Sequence, residues 1–225
     1  MHATINVKYQ SIHLAGVALL YMILFIIGLS FVSSFSPPYF PEPSASAEAI
    51  VLYFKTNLHD VRMCAFFQFC SAIPLGIFTA MAVGRLNILG PSSSANNIAL
   101  FGGFINAFNL SMSSMVLWVM AHPGTAADND TIRTLYYLMF IIGGVGYSVP
   151  MGLLIGGIAL ASRHLKGPPR WLTVSGFALA AIGLISSFYL IIPAFLYLIP
   201  LTRFPGFIWL ILMGYKIRTK NRPTG

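Results

Sequence analysis

Metal chemistry needs imidazole, thiolate or carboxylate groups held together, and His59-Asp60 is the first place where two of them are adjacent. His122, Asp128 and Asp130 lie in a second polar stretch that shares a side with that pair in the topology derived below. Imidazole with carboxylate binds zinc, copper or iron. However, His59, Asp60 and His122 show no recognised ligand spacing such as H-E-x-x-H. Asp60 also stands where a helix takes an N-cap and an anion at its positive end. Capping and solvation are therefore the stronger reading, and a metal site on His59, Asp60 and His122 the weaker one. No catalytic residue and no cofactor is expected, and bound lipids are the expected company.

Neutral polar groups form two lines. Gly102, Asn106, Asn109 and Ser113 recur at intervals of four, three and four, which keeps them on one helix face. Cys64, Gln68 and Ser71 make a similar line. Amides in lipid need partners, so these lines are expected to face each other or a polar cavity. Bonding between helices is the simpler reading. The sharper one is a ligand pocket lined by Gln68, Asn106 and Asn109, where amides orient a head group but serve poorly as general acids or bases. Arg203 is the one cation placed deep in an apolar run. A continuous helix puts it about 21 Å from Ile217, within a hydrocarbon core of about 30 Å. It either snorkels outward, pairs with a carboxylate such as Asp60, or meets an anionic lipid or ligand.

The elements that carry these residues are membrane spans. Hydrophobic residues make up 57% of the 225-residue chain and charged residues only 8%, against about 25% in soluble domains. Apolar runs long enough to cross occupy about 13–34, 61–83, 98–121, 135–161, 171–192 and 194–217. The fold class is an all-α polytopic bundle of six transmembrane helices in one domain. A short helix is expected over 47–57 in the first outer loop, 35–60, either at the membrane interface or packed on the bundle. Breaks are expected at Pro74, at Pro150, and at Pro200 and 203–206 in an irregular last span. Ser148, Gly152 and Gly156 form a small-residue face that lets a neighbouring backbone approach, inside the bundle or on another subunit. Cys64 and Cys70, six residues apart on one helix, are expected to be free thiols. His13 and His164 read as interfacial.

Charge orients the bundle. With both termini on one side, Lys8, Arg85, Arg163, Lys166, Arg170, Lys216, Arg218, Lys220 and Arg222 share it. Lys55, Arg62, Arg133 and Arg203 fall on the other, a ratio of nine to four. By the positive-inside rule both termini are cytoplasmic. All five carboxylates, Glu42, Glu48, Asp60, Asp128 and Asp130, then lie outside. The net charge of +8 flanks spans and forms no aromatic-interleaved patch, which excludes a nucleic-acid binder.

Pro169-Arg170-Trp171-Leu172-Thr173-Val174-Ser175-Gly176 and Trp209-Leu210-Ile211-Leu212-Met213-Gly214-Tyr215-Lys216 bracket the last two spans. This third of the chain resembles the bacterial six-span membrane family called domain of unknown function 4386. The resemblance implies six spans, a long first outer loop with a short helix, and a bacterial inner membrane, and it implies no activity. That family has a Glu shortly after the proline of its last span, where this chain has Thr202-Arg203-Phe204-Pro205 and no acid.

Three functions fit these readings. The first is a non-catalytic membrane subunit packing with other membrane protein subunits. The second is a transporter or binding protein for a neutral or lipid-like ligand. The third is an outer-face metalloenzyme. No buried ionisable cluster supports catalysis. The topology has a direct check: single cysteines placed at Asp128 and in the tail beyond Lys216 react with a membrane-impermeant maleimide from opposite sides of sealed vesicles. Labelling from one side overturns the orientation.

Overall fold

In hydrocarbon a backbone amide has no water to bond, so a long apolar sequence closes its hydrogen bonds along its own helix. The structure, a computed structural model, describes residues 14–33, 38–90, 94–126, 128–163, 165 and 167–217, and all regular structure among them is helical. His13, His164, Lys8, Lys166, Arg218, Lys220 and Arg222 lie outside the described residues. The helices are α1 (Leu14–Val32), α2 (Ala47–Thr56), α3 (Leu58–Leu89), α4 (Ser94–Met120), α5 (Pro123–Ala126), α6 (Asn129–Gly143), α7 (Val145–Ser162), α8 (Arg170–Ile185) and α9 (Leu198–Lys216). Two 3-10 segments, Ser186–Leu190 and Pro193–Tyr197, join α8 to α9. Six stretches are long and apolar enough to cross a bilayer: α1, α3, α4, α6 with α7, α8 with its 3-10 extension, and α9 with its own.

Helix starts follow local chemistry. Ser46 Oγ caps α2 by accepting the Ala49 N–H at 3.2 Å. Asp128 caps α6 through the Asp130 N–H at 3.3 Å and the Thr131 hydroxyl. The N-cap of α3 is Asn57 and not Asp60, which lies in the first turn where its charge still favours the helix dipole. α2 does not lie open on the interface. It buries Ile50, Tyr53 and Phe54 against α3, α4 and α6, leaving Leu52 exposed.

The expected breaks fall elsewhere. α3 runs unbroken through Pro74 and extends to Leu89, and α9 runs unbroken through Pro200 and Arg203–Gly206. Pro200 is in the first turn of α9, where its missing N–H has no intrahelical use. The fourth span breaks at Gly144 and not at Pro150, and the last hairpin is irregular before α9, over 186–197.

α7 is the centre of the bundle. On one side Ser148, Gly152 and Gly156 lie against α8. A Cβ on Gly152 would come 2.9 Å from the Ala180 carbonyl oxygen, and one on Gly183 would come 2.8 Å from that of Ser148. The other side of α7 meets α4 as closely, with a Gly157 Cβ 2.8 Å from the Ala95 oxygen and a Gly102 Cβ 2.7 Å from the Pro150 oxygen. The small-residue face is therefore engaged within the chain. α1 and α9 close the bundle, with Gly214 against Ala15 and Gly206 against Met151. The acidic residues gather at the end covered by α2, and Arg85 and Lys216 at the opposite end, where Arg85 donates to the Ile217 carbonyl at 3.2 Å.

Overpacking a tight site costs about 1–3 kcal/mol. Gly152→Ala is expected to lower the thermal midpoint in detergent accordingly. Gly84→Ala, inside α3 with nothing within 4 Å of the new methyl group, should leave it unchanged or raise it, since alanine favours a helix over glycine by about 0.5–1 kcal/mol.

Candidate functional site

The site grows out of the break between α6 and α7. Gly144 has φ −89° and ψ −93°, outside helical values, and its N–H reaches the Phe140 oxygen at 2.7 Å. A Cβ there would meet that oxygen at 2.5 Å, so the position requires glycine. The break redirects hydrogen bonds. The Tyr147 N–H, which a regular helix would give to Gly143, bonds Gly144 O at 3.2 Å instead. Pro150 has no N–H to give to Gly146 O. Two carbonyls are thus released inside the bundle.

Side chains from other spans take both. Asn109 Nδ2 on α4 donates to Gly146 O, and Arg203 Nη2 on α9 donates to Gly143 O. A cation at the C-terminal end of α6 also meets the negative pole of that helix. The guanidinium carbon stands 4.3 Å from the centre of the Tyr147 ring and 5.2 Å from that of Phe25. Desolvated cation–π contacts contribute about 2 kcal/mol each, and an arginine at the centre of a span costs about 3 kcal/mol by insertion scales. The two rings and the carbonyl together are enough to hold it.

Around this point the Tyr147 and Tyr21 hydroxyls bond each other, and Tyr21 stands edge-on to Phe207 at 5.1 Å. Arg203 is half-buried with its guanidinium on Gly143 O, and it does not pair with Asp60. Among the described residues no carboxylate lies within ion-pair distance of it. Its Nε is buried without a hydrogen-bond partner. The guanidinium is met by the Gly143 carbonyl and by the Tyr147 hydroxyl, which is in turn bonded to that of Tyr21, so its partners are neutral and its charge is unanswered.

The other predicted site residues are placed as follows. Asn106 is fully buried; its Nδ2 donates to Met151 Sδ at 3.2 Å and its Oδ1 has no partner. Ser113 Oγ donates to Met139 O at 3.0 Å. Gln68 is not brought to the two asparagines. Its side chain lies against Gly28 of α1, because α3 meets α4 through Thr79 at Gly103. Neither the groove between α3 and α4 nor the one between α2 and the loop before it is lined by Gln68, Asn106 or Asn109. Ser148 Oγ on α7 is buried without a partner. His59 Nδ1 is 3.1 Å from Asp60 Oδ1 in an exposed pair, and His122 Nδ1 accepts the Gly124 N–H at 3.3 Å. Among the described residues no three His, Cys, Asp or Glu side chains are placed to hold one metal ion. The Thr131 hydroxyl holds the Asp128 carboxyl below its ordinary range, in keeping with its use as a cap. Cys64 and Cys70 are free thiols.

Sequence reasoning missed Tyr21, Tyr147, Phe25 and Gly143. The available signal was tyrosine at mid-span, since that residue ordinarily gathers at the membrane interfaces. Comparison with family models, with curated proteins and with solved structures finds no match.

A bare buried carbonyl costs about 1–3 kcal/mol. Asn109→Leu should therefore destabilise by that order in the native chain and by much less in Pro150→Ala, which restores the N–H. A double-mutant cycle of thermal midpoints measures this, and strict additivity would refute the exchange.

Proposed function

We propose that this chain is a non-catalytic integral membrane protein that binds a lipid-like ligand through an anionic group, with Arg203 as its recognition point. The observation that carries the reading is a cation inside the bundle with a buried, unpartnered Nε and no carboxylate beside it. An ionisable group at membrane depth marks a site and calls for a partner. The ligand must supply negative charge and an acceptor for Nε, because the groups around the guanidinium are neutral. A carboxylate or phosphate ester on an apolar tail meets both needs. The broken span beside the cation supports the same reading, since interrupted helices often surround membrane binding sites. We place the protein in a bacterial cytoplasmic membrane with both termini inside, on the nine-to-four distribution of basic residues and the resemblance of its last two spans.

A second reading, a subunit docked on other membrane proteins, is favoured by the last hairpin. No charged residue occurs between Arg170 and Arg203, and its turn exposes Ile191 at 79% and Tyr197 at 76%.

Native mass spectrometry after mild solubilisation tests both. The expected spectrum shows the chain with bound anionic amphiphile, of which Arg203→Gln loses one molecule and Arg203→Lys none. Glutamine is shorter than arginine and ends where Nε stands, so the thermal midpoint of Arg203→Gln is measured beside its spectrum to show that the fold survives. Identical adducts on native chain and Arg203→Gln would sink the ligand reading, and a stoichiometric partner protein would support the second.

A further inference from the structure

Away from Arg203, α3 and α4 leave an outward-facing groove of about 360 Å³ near the acidic end. Its walls are Met63, Phe66 and Phe69 from α3 and Met115 and Trp118 from α4. Phe66, Phe69, Met115 and Trp118 are each at least 40% exposed. The polar atom nearest the floor is already used, since Ser114 Oγ donates to Leu110 O at 2.7 Å. The groove offers only apolar contact along its length. Arg62 and Phe69 are seven positions apart, about 10 Å along the helix axis.

Arg62 stands at the mouth. Its Nη2 donates to Ala121 O at 3.2 Å, which anchors the guanidinium beside the end of α4 and leaves its other N–H groups free of protein acceptors among the described residues. The nearest acid in the chain, Asp60, is engaged with His59. Trp118 flanks the mouth, with its ring 6.3 Å from that of His122. Tryptophan at this depth is the residue type that gathers at the head-group level.

We propose that this groove is a specific site for one anionic phospholipid, its acyl chain between α3 and α4 and its phosphate on Arg62. Charge complementarity and location select this occupant. The walls face outward from two membrane-crossing helices, so acyl chains are what they meet. The fixed cation at the level of Trp118 falls where a phosphate group lies. A partner helix would match the apolar wall but would leave the anchored cation without a counter-charge. The site is separate from Arg203, so either can fail without the other.

Trp118 is the reporter. The purified chain is reconstituted in phosphatidylcholine vesicles containing brominated phosphatidylglycerol or brominated phosphatidylcholine at equal mole fraction, and the Trp118 signal is the native fluorescence minus that of Trp118→Phe. Expected is a preference of about fivefold for the anionic lipid, the worth of one cation beside anionic lipid. Arg62→Gln should erase the preference. Arg133→Gln, which removes an equal charge from the same end outside the groove, should leave it intact. Met63→Trp, read by lipid adducts in native mass spectra, fills the groove while keeping Arg62 and should remove one retained phosphatidylglycerol, leaving any adduct that depends on Arg203. That variant decides the matter if Arg62→Gln fails to fold. Equal quenching by the two lipids, or a preference lost equally in Arg133→Gln, overturns the proposal.

Discussion

Hydrocarbon offers no hydrogen-bond partner, and that constraint governs the centre of this bundle. Gly144 and Pro150 interrupt one span and release the carbonyls of Gly143 and Gly146. A carbonyl left bare at that depth costs more than a typical hydrogen bond contributes, so other spans must answer each one. Asn109 answers from α4 and Arg203 from α9. The polar residues read from sequence as a ligand-binding stripe are thus also the repair of an irregular helix. Arg203 differs from Asn109 in carrying charge. The carbonyl and two aromatic faces hold its position without neutralising it.

Close packing makes those two bonds reachable. Glycines on both faces of α7 and on its neighbours let α4 and α8 approach until backbone meets backbone. Trp209 of α9 fits over Gly176 and donates its Nε1–H to Leu172 O at 2.8 Å, fixing α9 against α8. Tyr21 and Phe25 of α1 then close the remaining side. A cation held by four helices in this way has little freedom, which is the condition for selective binding in place of loose attraction.

The spans were legible because apolar length alone decides crossing, and the short helix, expected over 47–57 and found at Ala47–Thr56, was legible from its mixed apolar and charged residues. Proline misled. Pro74 and Pro205 sit inside continuous helices, because a membrane span has no competing solvent to draw the chain out of helical form, and Pro200 falls in the first turn of α9. The observed break fell at Gly144, which in sequence is one glycine among several. The small-residue face was visible from its spacing, but its partner was not, since Ala180 and Gly183 are equally ordinary by composition. The site was half visible. Arg203, Asn106 and Asn109 stood out as polar residues in apolar runs, whereas Tyr21 and Phe25 join them only through three-dimensional packing. Gln68 shares their polarity and stands on another interface.

Arg203 belongs to α9, which follows α1, α6 and α7 in the chain. Its acceptor at Gly143 and the rings of Phe25 and Tyr147 therefore belong to segments synthesised before it. The order of synthesis thus makes the berth before the charge that needs it. A chain truncated before α9 would keep its broken span with an unanswered carbonyl, and α9 made alone would carry a cation with nowhere to put it.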